Sequence, residues 1–131
     1  MAGRASRHPT ELELEILKIL WREGPCTVRE VREKLAGFRK LAHTSVTTMM
    51  TIMTKKGYLK RRKKNKLTHI YTAQVSEEAT TSGMLGDMVE RVFQGSTMTA
   101  VINLLETRDI DEVELAELRK LISRKAKEKG L

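Results

Sequence analysis

Residues 41–75 read LAHTSVTTMMTIMTKKGYLKRRKKNKLTHIYTAQV, and this stretch decides the fold of the chain. Its first part has the spacing of a helix, because Val46, Met50 and Met53 recur at intervals of four and three residues and therefore share one face. Gly57 follows two lysines and is well suited to end that helix. The opening part of the stretch is thus predicted to be a helix with one apolar face.

The second part of the stretch predicts a β-hairpin. Residues 58–62 and 67–73 are expected to form its strands. The residues between them form the turn, where Asn65 is favoured because asparagine tolerates a positive φ. A polar helix that leads into a basic hairpin is typical of a winged-helix domain, in which the helix enters the major groove of DNA and the hairpin follows the phosphate backbone.

The polar residues of this stretch predict two kinds of DNA contact. The outer face of the helix carries small side chains that can hydrogen-bond to base edges or place a methyl group against thymine. We therefore predict base reading by His43, Thr44, Ser45, Thr47, Thr48 and Thr51. Cations bind phosphates without choosing a sequence, and this role is predicted for Lys55, Lys60, Arg61, Arg62, Lys63, Lys64 and Lys66.

Charge is unevenly distributed along the 131 residues, whose formal net charge is +8. Residues 1–75 carry 17 basic and 6 acidic side chains, a balance of +11, whereas residues 76–131 carry 8 basic and 11 acidic ones, a balance of −3. A solvated surface usually mixes both signs, but residues 41–75 contain eight cations and no acid. The N-terminal half is therefore predicted to contact a nucleic acid.

Two other functions stay open on the sequence. The first is a general nucleic-acid or RNA-binding protein that uses the charge without reading bases. Readers of single-stranded RNA favour aromatic stacking platforms, and only Tyr58 and Tyr71 lie near the basic residues. The second is a protein-interaction module with no role in DNA binding, whose weak charge-driven affinity for DNA would be lost above about 100 mM salt.

Two further helices are predicted before residue 41. Capping boxes that begin at Thr10 and Thr27 open them, because each threonine is followed three residues later by a glutamate. They are expected to extend to about residues 23 and 36, and a short turn then leads into the third helix, which makes a helix-turn-helix. Trp21 is expected to be a core residue, and residues 1–9 are expected to be a flexible basic arm.

Three helices are predicted after the hairpin, to about residue 94, to about residue 106 and from residue 112 into a fraying, Lys-rich end. The fold class is thus mainly α with a small β-hairpin wing: a winged helix-turn-helix DNA-binding domain over 10–75 and a helical dimerisation region over 76–131.

The C-terminal helices are predicted to pair with a second copy of the chain. They are apolar over wide arcs, yet a segment of about 55 residues buries little core alone. The residues expected in this homodimer interface are Met88, Val92, Val101, Leu105, Leu115, Leu118 and Ile122. The alternative is a monomer in which these helices fold as a cap on the winged helix.

Catalysis, metal binding and membrane insertion are not expected. Cys26 is the single cysteine, which excludes an internal disulfide, and His8, His43 and His69 lie far apart without metal-ligand spacing. No catalytic motif or phosphate-binding loop is present, so neither an enzyme nor a cofactor is predicted. No run of about 18 apolar residues and no secretory signal occur, so we expect a cytoplasmic protein that is not in the membrane.

Several segments together resemble the BlaI/MecI penicillinase-repressor family. They are LKILW at 17–21, GPCTVREV at 24–31, LAHTSV at 41–46, KKGY at 55–58, IY at 70–71, VFQGS at 92–96 and ELAEL at 114–118. The similarity extends over residues 10–122, and the order and spacing of the segments carry it.

The resemblance implies a dimeric bacterial transcriptional repressor that binds a palindromic operator in double-stranded DNA. It also implies inactivation by cleavage, triggered by a membrane-bound metalloprotease sensor, at a bond that corresponds to Asn103–Leu104. Leu104 departs from the phenylalanine found after this asparagine in well-studied members. The Cys-x-Cys cluster of the copper-sensing branch is absent from this sequence.

Overall fold

The computed structural model describes residues 8–131 and contains, within that range, six helices and one two-stranded sheet. The expected arm over 1–9 lies outside the described residues, apart from His8 and Pro9. The chain divides into two compact units, one ending at Gly86 and one over Asp87–Leu131. The elements are α1 (Glu11–Glu23), α2 (Val28–Leu35), α3 (His43–Lys55), β1 (Leu59–Lys63), β2 (His69–Ala73), α4 (Glu77–Val92), α5 (Thr97–Thr107) and α6 (Glu112–Glu128).

The two N-terminal capping boxes are confirmed. The hydroxyl of Thr10 accepts the backbone N–H of Glu13 at 3.2 Å, and the Glu13 carboxylate accepts the N–H of Thr10 at 2.9 Å. Thr27 and Glu30 make the same pair of bonds, at 3.2 and 2.8 Å. Each box satisfies backbone donors that have no partner inside the helix, and this fixes where α1 and α2 begin.

The core of the first unit is aliphatic and methionine-rich, as the shortage of aromatic residues requires. Helices α1, α2 and α3 pack around it with the hairpin on one side. Trp21 lies half-buried at its edge, where the indole N–H donates to the carbonyl of Val75 at 2.9 Å. The fully enclosed side chains include Ile16, Leu17, Val31, Leu35, Val46, Met50, Met53, Leu59 and Tyr71.

The segment before α2 pairs with the hairpin. The N–H of Cys26 donates to the carbonyl of Tyr71 at 3.0 Å, and the N–H of Tyr71 donates back at 2.8 Å. This bridge attaches the loop between α1 and α2 to strand β2. The Cys26 side chain is a buried free thiol, and burial raises its pKa.

Strand β1 begins and ends one residue later than predicted, and β2 begins two residues later but ends at Ala73 as predicted. Tyr58 lies in the turn that closes the C-terminal end of α3, because its N–H donates to the carbonyl of Met53 at 2.9 Å and Gly57 before it has a φ of 89°. The turn extends to residue 68, since the Asn65 side-chain oxygen accepts the N–H groups of both Leu67 and Thr68 at 3.0 Å. Residues 67 and 68, expected to be strand, are therefore held in the turn.

The ends of α4 and α6 also differ from the prediction. Helix α4 stops at Val92 because Gln94 and Gly95 both have a positive φ, of 48° and 80°. The Lys-rich end is not frayed, because α6 continues to Glu128. Lysines in the last turn of a helix are favourable, since they face the negative end of its dipole.

The second unit, over Asp87–Leu131, has almost no core of its own. Ala100 is the one residue of this unit that is buried, and α5 and α6 do not pack extensively on one another. Large apolar side chains on all of its helices are exposed instead, which is unusual for a stable isolated unit. No helix in the described part of the chain is both long and apolar enough to cross a bilayer.

Candidate nucleic-acid interface

Helix α3 is fixed in place by its apolar face and at both ends. Val46, Met50 and Met53 are fully buried in the core. Ahead of the helix, the Arg32 guanidinium donates to the carbonyl of Leu41 at 2.9 Å and so fixes the loop from α2. Behind it, the Lys56 ammonium donates to the Glu13 carboxylate at 2.9 Å. The outward face of α3 is therefore presented in one orientation.

The six residues predicted to read bases lie on exposed or half-buried positions of α3, but their hydroxyls differ. Thr47 donates to the carbonyl of His43 at 2.9 Å, and Thr51 donates to that of Thr47 at 2.8 Å. Within the described chain, the side chains of Thr44, Ser45 and Thr48 are exposed and make no such bond. These three keep donor and acceptor available, whereas Thr47 and Thr51 keep a methyl group and an acceptor oxygen.

The predicted backbone-binding cations are all exposed, and the hairpin register divides those on β1 between two faces. Arg61 pairs with the buried Tyr71 and therefore lies on the same face of the hairpin, but it is not itself a core residue. Lys60 and Arg62 lie on the opposite side, since successive residues of a strand point to opposite faces. None of the hairpin cations forms an ion pair with another described residue.

A groove of about 650 Å³ is lined by the start of α2, by α3 and by the hairpin. Its lining includes His43 and Thr47 of α3, and the structure thus brings part of the predicted base-reading set beside Arg61 and Lys64. Lys55, Lys60, Arg62, Lys63 and Lys66 are not part of this lining. The groove is open and bordered by both predicted kinds of DNA-contacting residue.

Glu30 is the one acidic side chain among the residues that line the groove. Its carboxylate accepts the backbone N–H of Thr27, and this hydrogen bond holds the pKa of Glu30 below its usual value. Lys64 contributes in the same direction as a nearby positive charge. The groove therefore keeps one negative charge at neutral pH.

Sequence reasoning missed several residues at this surface. Arg29 lines both the groove and a neighbouring hollow of about 460 Å³, which Lys40 also borders. Two exposed apolar side chains are present as well, Ile52 on α3 and Leu67 at the tip of the hairpin. Basic residues close to a helix-turn-helix were a signal for the first two, whereas the exposure of Ile52 and Leu67 becomes evident only from the packing.

The remaining predicted site residues lie in α4, α5 and α6. Met88, Val92, Val101, Leu105, Leu115, Leu118 and Ile122 are all exposed. Asn103 and Leu104 are exposed residues inside α5, and the carbonyl of Asn103 accepts the Thr107 hydroxyl at 2.7 Å. Within the described range, no group of three or more His, Cys, Asp or Glu side chains could hold a metal ion.

Comparison with known proteins agrees with this architecture. Residues 9–124 match the family model described as "Penicillinase repressor". The methicillin resistance regulatory protein MecI of Mammaliicoccus sciuri is 26% identical over 113 residues, which cover 86% of this chain and 91% of MecI. The transcriptional regulator BlaI of Mycobacterium tuberculosis is 30% identical over 115 residues, covering 82% and 83%.

A solved structure matches the fold over nearly the whole chain. The structure of RosR from H. salinarum matches 93% of this chain and 97% of its own with a TM-score of 0.50, at 14% identity, which indicates a shared fold alone. The family model matches most of the sequence, and the family that it describes is made of transcriptional repressors, which are not enzymes. The chain therefore belongs to the penicillinase-repressor family of transcriptional regulators.

Proposed function

We propose that this protein is a cytoplasmic, homodimeric repressor that binds a palindromic operator in double-stranded DNA, with one winged helix on each half-site. The observation that carries the proposal is the outward face of α3. Thr44, Ser45 and Thr48 offer three uncommitted hydroxyls on a helix that is anchored at both ends. Unpaired polar groups on a rigid helix beside a basic hairpin suit the edges of bases in a major groove.

Base reading is assigned to α3. Thr44, Ser45 and Thr48 can donate or accept hydrogen bonds, whereas Thr47 and Thr51 contribute a methyl group and an acceptor oxygen. His43 in the first turn borders the groove and lies within reach of the same DNA. Sequence preference on this view depends on a few neutral groups, because the charges lie elsewhere.

Affinity is assigned to the cations around the hairpin. None of the hairpin cations forms an ion pair within the described chain, so their charge is available to phosphates; they are Lys60, Arg61, Arg62, Lys63, Lys64 and Lys66. Lys55 at the end of α3 extends this positive surface. Contacts of this kind orient the protein on any duplex and make binding depend on salt.

Dimerisation is assigned to residues 76–131. A large fraction of the apolar side chains there is exposed. Burying them against a second copy would stabilise the dimer by about 25 cal/mol for each Å² of apolar area removed from water. Two linked winged helices also bind two half-sites together far more tightly than either binds alone. A palindromic operator then follows from the twofold symmetry of the dimer.

Relief of repression is assigned to cleavage at Asn103–Leu104, with a membrane-bound metalloprotease sensor of the family type as the partner that triggers it. The bond lies within α5, so a protease needs local opening of that helix before the chain can enter its active site in an extended form. Cutting α5 would remove part of the dimer surface. The half-sites would then be bound separately and too weakly to hold the operator.

DNase footprinting on the region upstream of the gene for this protein, at physiological salt and with competitor DNA, tests the proposal. A protected, twofold-symmetric sequence is the expected result. Protection that spreads over any duplex would indicate a non-specific nucleic-acid binder, and no binding would indicate a protein-interaction module. Tyr58 and Tyr71 are buried, so neither supplies the stacking platform that a reader of single strands would need.

A further inference from the structure

The charges of α6 are sorted along its length. Its first half carries Glu112, Glu114 and Glu117, and its second half carries Arg119, Lys120, Arg124, Lys125 and Lys127 with Glu128 as the one acid. The helix dipole accounts for such sorting in the first and last turns. It does not account for the charges in the middle turns, where the acidic half changes to the basic half next to Leu118.

One stripe of α6 combines this sorting with exposed leucines. Glu114, Leu118, Leu121 and Lys125 follow one another at intervals of four, three and four residues, which is the spacing of a helix-pairing seam. Leu118 and Leu121 are 36% and 39% exposed, and neither α4 nor α5 packs extensively against α6. The stripe is thus apolar at its centre, acidic at one end and basic at the other.

We propose that two copies of α6 pair antiparallel along this stripe, with Glu114 of each copy opposite Lys125 of the other. This inference rests on the homodimer in the proposed function and adds the orientation of its helices. An antiparallel pair placed symmetrically about the midpoint between Leu118 and Leu121 matches leucine with leucine and acid with base. A parallel pair would place Glu114 against Glu114 and Lys125 against Lys125, which is unfavourable.

Two details of the structure fit this seam. A hollow of about 480 Å³ beside α6 is lined by Glu114, Leu118 and Leu121 together with Ile110, and it offers space for an apolar side chain of the second copy. Glu114 uses one carboxylate oxygen in the cap of α6, where it accepts the N–H of Asp111 at 3.3 Å. Its second oxygen accepts no hydrogen bond in the described chain and is available to a lysine.

Charge reversal in the full-length protein tests the pairing. In an antiparallel dimer, Glu114→Lys or Lys125→Glu turns two attractive pairs into two repulsive ones, and the dimer dissociation constant should rise about tenfold. The double variant Glu114→Lys/Lys125→Glu restores two attractive pairs, and its constant should fall back to within about threefold of the original value. Sedimentation equilibrium measures these constants, and circular dichroism establishes that the helices remain.

Two controls accompany the charge-reversal variants. Glu114→Lys and the double variant lose the same capping carboxylate, so the recovery between them reports the charge pair rather than the cap. Lys127→Glu makes the same charge change off the stripe and should alter the constant less than twofold. A parallel seam predicts no loss in the single variants and no recovery in the double variant, and either result overturns the proposal.

Spin labels measure the orientation directly. Cysteine is introduced in place of Glu112 or of Lys120 in a Cys26→Ala background, and the distance between the labels of the two copies is measured by electron paramagnetic resonance, pulsed for the long distance and continuous-wave for the short one. An antiparallel pair separates the labels at 112 by roughly 22 Å along the helix axes, at 1.5 Å per residue from the midpoint. The labels at 120 should lie close to the usual helix separation of about 10 Å.

Equal distances at the two positions would exclude the antiparallel seam but would not contradict the proposal of a dimeric repressor. A protein that remains monomeric at micromolar concentration would instead contradict the dimer itself, and with it both this seam and that part of the proposed function. Operator footprinting is independent of the label distances, so the two failures can be told apart.

Discussion

The Lys56 ammonium lies 2.9 Å from the Glu13 carboxylate, and this ion pair joins the first turn of α1 to the C-cap residue of α3. Glu13 is almost completely buried, and both of its oxygens are used, one by Lys56 and one by the N–H of Thr10. One carboxylate therefore begins the first helix and also holds the end of the proposed recognition helix, from 43 residues away in sequence.

Replacing Glu13 with glutamine tests this double role. The amide oxygen can still accept the N–H of Thr10, but the charge that faces Lys56 is lost and the ammonium is left half-buried. We expect the free energy of unfolding in urea to fall by about 1–3 kcal/mol. Glu15→Gln, which breaks the exposed pair with Lys18, is the matched control and should change it by less than about 1 kcal/mol. Equal effects of the two substitutions would contradict the anchoring role.

Replacing Lys63 and Lys64 with alanine should weaken binding to specific and to non-specific DNA to a similar degree. If the hairpin supplies about three phosphate contacts per subunit, log K falls with log salt at a slope of about −5 for the dimer, and the double variant should lower that magnitude by 2 to 4. Fluorescence anisotropy over a salt series measures the slope. Lys18→Ala/Arg22→Ala removes two charges from α1 and should leave it unchanged, whereas an unchanged slope in the hairpin variant would exclude phosphate contacts there.

Thr48→Val and Thr47→Val should differ in their effect on operator discrimination, although both replace a hydroxyl with a methyl group. The Thr48 hydroxyl is uncommitted, so its loss should change discrimination at one operator position by about 1–3 kcal/mol. The Thr47 hydroxyl already donates to its own helix, so its loss should change discrimination much less. Binding to a library of operator variants measures both. A uniform loss of affinity across all sequences in Thr48→Val would exclude a reading role.

Glu30→Gln should strengthen DNA binding by about threefold at low salt, with a smaller gain at high salt, because it removes the negative charge from the groove. Glutamine can still close the capping box. Lys64→Gln is the opposite control, since the same kind of neutral substitution at a groove cation should weaken binding. An affinity of Glu30→Gln equal to that of the unmodified protein would place Glu30 away from the bound DNA.

The same substitution has an effect on stability in acid. The pKa of Glu30 is lower in the folded chain than its ordinary value of 4.5, so its ionised form favours folding above that value. This contribution is lost as the pH falls through the lowered pKa. Thermal melts between pH 3 and pH 7 should therefore show a smaller decline below about pH 4.5 in Glu30→Gln than in the unmodified protein.

Features encoded by neighbouring residues could be predicted from the sequence, because their physical causes are local. Thr10 and Thr27 each meet a glutamate three residues later, and the buried face of α3 follows from its periodicity. The hairpin limits were less accurate, since they depend on two hydrogen bonds to the Asn65 side chain that composition does not reveal.

The features that could not be predicted depend on tertiary contacts or on choices between equivalent groups. The partner of Glu13 lies too far along the chain for any local pattern to identify it. Whether a threonine donates to its own helix depends on its rotamer, so Thr47 and Thr48 look alike in sequence. The groove beside Arg61 likewise requires the strand register, which sets the face on which each cation lies.

The hydrogen bond from Trp21 to Val75 has a practical consequence. Trp21 is the single tryptophan of the chain, and both ends of this bond lie in the first unit. Its indole emission is therefore a natural reporter of the unfolding of that unit, free of signal from residues 87–131. Melting followed by tryptophan fluorescence and melting followed by far-ultraviolet circular dichroism would resolve the two units without any added dye.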